Sequence, residues 1–447
     1  MKAKWLSVCV LVLLLVVART AQGQTLPTQT TWGGTGSDDA AGVATDADGN
    51  SYVVGITDSF AVDQFGTPSP RIFLVKFAPD GTLAWQRIWN GTTIRGGCTG
   101  FYRPGVAVGP PPKRGDPVSV YVTGLSTDNG NDAVLLKFAA DGTLLWERTW
   151  GGVACDESLA VATDVDGSAY IVGTELSFGA GGVGFFVVKF DAAGRLVWQK
   201  IADGAEGMAL AVAPDGSVYA AGTIARDSLG NFDMLVMKIT SAGTLVWQQT
   251  YAAGSVADAR GGMATAPDGS MIVVAGALQS TKVLTPDISA LILALSPDGT
   301  LIFDKQFQDS ETGDGVTVAP DGTIYVTGTT TSFGAGFQDA FVLHLTPDGK
   351  KILDAVTWGG TGFETGAGVA VSGTTLSLAA TTTAGPPYSL LPAAAKLSLA
   401  QGTLAPRTGG LVDGAGTVAN PKARAATPTG STTFQGNFEA ALVRIAR

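Results

Sequence analysis

Histidine is nearly absent from this chain: of 447 residues only His344 is one, in the stretch FVLHLTPDG. Cysteine is scarce, limited to Cys9, Cys98 and Cys155. Charge is sparse and lopsided, with 38 acidic residues against 28 basic ones. Helical periodicity is missing past residue 23, and the one long apolar run, Trp5 to Ala18, has 14 residues. Each shortage excludes something. One His and three Cys leave almost nothing from which to build His- or Cys-based catalysis. An acidic chain does not suit nucleic acid or an anionic membrane surface, both of which are bound by basic faces. The apolar run is too short to span a bilayer, which takes roughly 20 apolar residues.

What precedes and follows that run gives it another meaning. Lys2 and Lys4 stand before it, and Ala21 and Gly23 are the small residues that a signal peptidase needs. Residues 1–23 therefore read as a secretory leader cleaved before Gln24, and 24–447 as one mature domain. Cys9 lies inside the run, away from the junction where a lipoprotein would carry its cysteine. Cleavage removes Lys2, Lys4 and Arg19 and takes the formal net charge from −10 to −13. Only Cys98 and Cys155 then remain, enough for one disulfide, so the fold must rest on core burial.

What the chain does have is repetition. TWGGTGSDDAAGVATDADGNSYVVG (Thr31 to Gly55) returns as TWGGVACDESLAVATDVDGSAYIVG (Thr149 to Gly173). FLVKFAPDGTLAWQRIW (Phe73 to Trp89) returns as VLLKFAADGTLLWERTW (Val134 to Trp150). The pattern recurs about every 50 to 60 residues, each unit holding four short β-patterned segments. Asp48-Gly49, Asp166-Gly167, Asp215-Gly216, Asp268-Gly269 and Asp321-Gly322 join the first segment to the second. Asp80-Gly81, Asp141-Gly142, Asp298-Gly299 and Asp348-Gly349 join the third to the fourth. An Asp-Gly pair between β-runs marks a tight hairpin, because glycine supplies the positive φ of the turn. Four strands in hairpin order, repeated at this length, describe a β-propeller blade.

The expected fold class is thus all-β, a single β-propeller of four-stranded antiparallel blades. Third strands number eight, the last three being Ala340–Leu345, Ala393–Leu397 and Ala440–Ile445. Eight blades is the expectation, with seven as the alternative. The segment LPTQTTW, Leu26 to Trp32, has the character of a lone fourth strand and would close the ring by completing the last blade. At WGG, DADGNSYVVG and FLVKFAPDGTLAW the chain resembles the bacterial SBBP-type β-propeller repeat family. That resemblance implies an exported or cell-surface repeat module and brings no shared catalytic residue.

The chemistry-bearing candidates sort by column. The fourth-strand aromatics Trp85, Trp146, Trp198, Trp247 and Phe303 fill the widening gap between the outer parts of neighbouring blades. The DADGN and DVDGS turns begin like calcium loops but lack the further acidic ligand of an EF-hand. Acidic residues recur before the first strand: Asp38, Asp39, Asp156, Glu157, Glu206, Asp258, Asp314 and Glu364. They could ring the channel mouth and attract a cation or a basic ligand, or tie one blade to the next through backbone N–H groups. The second unit departs, carrying Arg95 and Arg103 in RGGCTGFYRPG. Cys98 and Cys155 fall in loops of adjacent units on one face, within reach of each other for a disulfide. His344 aligns with Lys76, Lys137, Lys189, Lys238, Lys396 and Arg444, so it reads as a substitute for lysine.

These readings favour a non-enzymatic binding or scaffold module working through its loop face. The alternatives are a cation-dependent polysaccharide binder and a lyase or hydrolase using carboxylates alone. No cofactor is implied beyond calcium on the acidic ring. The expected partner is an extracellular protein or a glycan, met by a secreted, periplasmic or cell-surface monomer. Expressed with its own leader in a bacterium, the chain is expected outside the cytoplasm with Gln24 as its first residue. N-terminal sequencing of the exported protein checks this, and an intact leader on it would contradict it.

Overall fold

The computed structural model describes residues 24–383 apart from 61, 63–65, 68, 96, 99, 101, 112–115, 129, 179–181, 228–230, 253–255, 260–261, 280–287, 308–310, 333 and 374. It also describes 11–13, 16–19 and five short strands beyond residue 388. Among these residues every regular element is a strand.

Six sheets contain four strands in sequence order, each strand antiparallel to the next. The first blade is Asp38–Thr45, Ser51–Thr57, Arg71–Phe77 and Leu83–Ile88. The second runs from Gly105–Val108 to Leu144–Trp150, and the third from Asp156–Thr163 to Leu196–Asp203. The fourth spans Ala205–Val212 to Leu245–Ala252. The fifth has its inner strand in two pieces, Val256–Asp258 and Met263–Thr265, and ends with Leu301–Phe307. The sixth spans Glu311–Val318 to Ile352–Gly359. The hairpin Glu364–Ser372 and Thr375–Thr382 then fills the space between the sixth blade and the first.

The expectation of eight blades, and its alternative of seven, is therefore corrected to six. The reason lies in the degenerate C-terminal units. Instead of building blades, this part of the chain adds short strands to edges that already exist. Ser389–Pro392 pairs with Ile352–Gly359, Leu399–Gln401 with Leu301–Phe307, Ala405–Arg407 with Leu245–Ala252, and Ala423–Arg424 with Leu144–Trp150. The fourth strand of a blade is an edge with open N–H and C=O groups, and any extended segment that passes can satisfy them. Of the two expected third strands here, Ala393–Leu397 lies outside the described residues. Val443–Ala446, at the end of the other, pairs with Thr375–Thr382. That closing sheet also receives the front of the chain: Gln24–Thr28 meets Val443–Ala446, and Leu11–Leu13 lies between Thr375–Thr382 and Thr31–Trp32.

Burial follows position within the blade. Second strands such as Ser51–Thr57 and Ala169–Glu175 are buried at every residue, because neighbouring blades cover both faces. The fourth strands Leu83–Ile88 and Leu196–Asp203 are half-exposed. Neighbouring blades are joined by their tryptophans. Trp85 donates its indole N–H to Ala140 O at 3.0 Å, Trp198 to Ser241 O at 3.0 Å and Trp247 to Pro297 O at 3.1 Å, each reaching the next blade's outer turn. The tryptophan after the fourth strand does the same from inside: buried Trp89 donates to Glu147 Oε2 at 2.9 Å.

A bulge in the inner strand sets the spacing between the first two strands. Pairing skips one residue between Ala40 and Gly42, Ser158 and Ala160, Gly207 and Ala209, and Gly313 and Gly315. Opposite it stands the last glycine of the YVVG motif. A Cβ on Gly173 would lie 1.9 Å from Glu157 O, and one on Gly328 would lie 1.7 Å from Thr312 O. The obstacle is backbone and cannot rotate away. Gly173→Ala is expected to cost at least the upper end of the ~1–3 kcal/mol range for overpacking. Urea unfolding measures it, and a loss below 1 kcal/mol would show that the bulge yields.

Candidate functional site

The expected acidic ring divides into three groups. The first is structural in its contacts. Asp38 is fully buried and accepts hydrogen bonds from Gly34 N at 2.8 Å, Ser59 Oγ at 2.6 Å and Thr57 Oγ1. Asp156 repeats the arrangement with Gly152 N at 2.7 Å, Ser177 Oγ at 2.6 Å and Leu176 N at 3.2 Å. Glu364 takes Gly360 N at 3.1 Å and Thr382 Oγ1 at 2.7 Å. Each carboxylate thus ties a WGG-type loop to the start of the next inner strand. Glu157, also fully buried, receives Cys98 N at 2.7 Å.

The second group lies away from the axis or is seen only as backbone. Glu206 lines a separate cavity of about 340 Å³ with Asp203 and Thr223. Asp258 ends the short strand Val256–Asp258, opposite Ala277. The third group lies at the channel or at the cavity that adjoins it. Asp39 is partly exposed and pairs with Arg95, which also holds Asp58 at 2.7 Å and Ser37 O at 2.7 Å. Asp314 faces Arg103 at 3.7 Å.

Asp314 is the residue whose role the sequence reading missed. Each of the inner-strand bulges pushes one side chain toward the axis. Ala41, Leu159, Met208 and Ala367 occupy that place in other strands and line the same cavity. In the sixth blade the place belongs to Asp314, the one acid among the described bulge positions. Counting acids back from the hairpin glycine grouped Asp314 with Asp38 and Asp156. Aligning TGDG against EGMA at the bulge would have separated them. Below this level Val43, Val106, Val161, Val316 and Val369 line the channel. The cavity measures about 530 Å³, and Asp314 and Arg103 are the ionisable acid and base among the residues lining it.

The loop that carries Arg103 is held from both sides. Cys98 and Cys155 form a disulfide with Cα atoms 6.1 Å apart. It closes a loop with a sequence separation of 57, worth about 4 kcal/mol in the chain-entropy account. Buried Tyr102 accepts Leu125 N at 2.8 Å, and both pack with Ile56 against the two cysteines. A second cavity of about 280 Å³, lined by Asp39, Arg95, Arg103, Thr365 and Thr381, adjoins this loop. Among the described residues, no group of three or more His, Cys, Asp or Glu is placed to hold a metal ion.

His344 lies away from this site. It stacks on Tyr325, ring centroids 4.2 Å apart, directly across the strand pair. In the same register Lys76, Lys137, Lys189 and Lys238 lie 4.8–5.3 Å from the ring centroids of Tyr52, Tyr121, Tyr170 and Tyr219. The column is basic because a cation over a tyrosine face is favourable. The DADGN turn is equally self-contained. Asp46 accepts Asp48 N at 3.1 Å, Asn50 N at 2.9 Å, Asn50 Nδ2 at 2.7 Å and the Tyr52 hydroxyl at 3.0 Å.

With the geometry in place, the chain can be set beside known proteins. A family model described as a domain of unknown function (DUF5122) beta-propeller matches residues 319–351. Match and fold agree: this is a β-propeller. Among solved structures, the β-propeller domain of the Trilobed protease from Pyrococcus furiosus is 10% identical, with a TM-score of 0.44 over 79% of this chain and 92% of that one. The Dos1 propeller is 10% identical, with a TM-score of 0.43 over 80% and 95%. Sqt1 from Chaetomium thermophilum is 11% identical, with a TM-score of 0.37 over 77% and 95%. No curated protein matches. Among the described residues no helix is long and apolar enough to cross a membrane.

Burial pushes the carboxyls of Asp38, Asp156, Asp339 and Glu364 above the usual range, against the pull of their hydroxyl and amide donors. In the unfolded chain they titrate normally, so between the normal and the raised values the folded state holds more protons. Stability therefore falls as pH rises through that interval. The turn aspartates run the other way. Asp141, Asp215, Asp268 and Asp298 are held below the usual range by donors inside their turns, and Asp348 is pulled to about 2 by the Thr346 hydroxyl and Lys350 N–H. Their contribution is lost as pH falls through those lower values. The melting temperature is expected to peak on the acid side of neutrality and to fall again below about pH 4. Asp156→Asn should flatten the decline toward alkaline pH. A melting temperature that only decreases between pH 8 and pH 5 would contradict the account.

Proposed function

We propose that this chain is an exported repeat propeller of the SBBP type, acting as a non-enzymatic binding module whose ligand enters the channel from the loop face. The observation that carries this reading is the channel itself. Its walls mix Ala, Val, Leu and Met side chains with Thr312, Thr329, Thr365 and Gln338, its volume of about 530 Å³ suits a small ligand or the tip of a larger one, and among the described residues lining it Arg103 and Asp314 form one pair of opposite charges. Mostly apolar walls with a few placed polar groups describe a binding site. The sequence motifs support export, and the negative balance suits an extracytoplasmic setting. A carboxylate-based lyase or hydrolase would want a pair of acids at one bond, whereas among the described residues Asp314 is the single acid lining this cavity.

A glycan partner has a separate observation in its favour. Phe337 and Phe363 stack with centroids 5.6 Å apart on the loop face, 72% and 53% exposed, and the neighbouring Gln338 lines the channel. Exposed aromatic rings beside polar groups offer a sugar both an apolar face and hydrogen bonds.

Ala41→Trp places an indole in the channel at a position whose side chain makes no hydrogen bond. Against an array of glycans and envelope proteins, wild type is expected to retain a ligand. The variant should bind that ligand at least tenfold more weakly, with its melting temperature within about 2 °C of wild type. Equal binding by the variant, or no retention by wild type, would overturn the reading.

A further inference from the structure

We propose that the channel mouth binds the zwitterionic head of an α-amino acid whose apolar side chain lies in the channel. This rests on the reading of the channel as a binding site and supplies its ligand class. The argument begins with two arginines on one loop. Arg95 is committed to Asp39, Asp58 and the Ser37 carbonyl. Arg103 is 47% exposed, and its one ion pair among the described residues is the 3.7 Å approach of Nη1 to Asp314 Oδ1. That distance exceeds the 2.7–3.2 Å of an N–H···O hydrogen bond, so the guanidinium keeps its donors for something else.

Asp314 is complementary. Thr312 donates to its Oδ2 at 2.8 Å and Thr329 at 3.2 Å. The two hydroxyls fix the carboxylate and leave Oδ1 facing Arg103 across the opening. A simple anion drawn to Arg103 meets the charge of Asp314, and a simple cation drawn to Asp314 meets Arg103. A carboxylate and an ammonium one carbon apart satisfy both. The carboxylate takes the planar guanidinium fork, which matches it with two parallel hydrogen bonds, while the ammonium donates to Asp314 Oδ1. Beyond the head group, Met208 and Leu210 offer apolar wall and no competing charge. The cavity exceeds what one large side chain needs, so a range of apolar side chains is accommodated.

Two features separate this from a general attraction for charge. The disulfide anchors the loop that carries Arg103 and two threonines fix Asp314, so the ordering left to binding is that of the Arg103 side chain. The charges also belong to different elements, one to the second-unit loop and one to the sixth blade, so the match lies in their spacing.

Calorimetric titration of the full chain with L-leucine, L-phenylalanine and L-tryptophan tests the proposal, with N-acetyl-leucine and leucinamide as controls. Saturable binding of the free amino acids is expected, at least tenfold weaker for both blocked forms. Arg103→Gln and Asp314→Asn should each weaken it at least tenfold. Should Asp314→Asn fail to fold, the two blocked forms still decide the matter on the wild-type chain. Equal binding of blocked and free forms overturns the head-group assignment. So does an absence of heat from every amino acid while Ala41→Trp still abolishes retention of an arrayed ligand; in that case the channel remains a site for another ligand. If Ala41→Trp changes nothing either, the channel reading falls as well.

Discussion

The bulge in the inner strands of the first, third, fourth and sixth blades and of the closing hairpin, seated against the strand beside it, is the contact on which both architecture and site depend. The bulge brings a first-strand carbonyl so close to the second strand that no side chain fits there, as at Gly173 and Gly328. It also interrupts the alternation of the inner strand and turns one extra side chain toward the axis. Where that side chain is Ala41, Leu159 or Met208, the channel gains apolar wall. Where it is Asp314, the channel gains a charge. One backbone irregularity thus sets the spacing between strands and turns one side chain into the channel wherever it occurs.

The remaining polar groups mostly hold the disc together. Asp38, Asp156 and Glu364 are buried at some electrostatic cost, which raises their protonation equilibria, yet each gathers donors from the loop before its strand. Truncating such a carboxylate strands buried donors, which costs about 1–3 kcal/mol each. The tryptophans act from the outer side, spanning the wedge between blades and donating to a neighbour's turn. A motif repeated in blade after blade is spent on this adhesion, and the proposed binding site is built where one repeat departs from the rest. Arg95 and Arg103, in the one loop that breaks the pattern, and Asp314, in the one acidic bulge, are such departures.

Much of this was legible in the residues. The Asp-Gly hairpins occur where they were expected, because the turn chemistry is local and nearly independent of packing: Gly49, Gly81, Gly142 and Gly167 all have positive φ. The lysine column containing His344 could be aligned by eye, although its partner, the tyrosine across the strand, became evident only from the register. The blade count was not legible, since the repeats after residue 383 keep some third-strand character while losing the tryptophan and the regular turns. Asp314 was hidden for a related reason. It sits in an acidic stretch like its neighbours, and only the bulge register shows that it faces the channel while Asp38 and Asp156 turn into the structure.

Sequence by itself determined the β-propeller class, the four-strand unit, the hairpin positions and the residues available for catalysis, because these follow from local periodicity, turn propensity and composition. Tertiary structure decided how many blades form and which charged groups meet. Those outcomes depend on long-range pairing: where the last segments find open strand edges, and how a loop anchored by Cys98 and Cys155 carries Arg103 to Asp314 on the sixth blade. No local pattern encodes a contact between residues more than two hundred positions apart, so the pair at the mouth belongs to the folded ring.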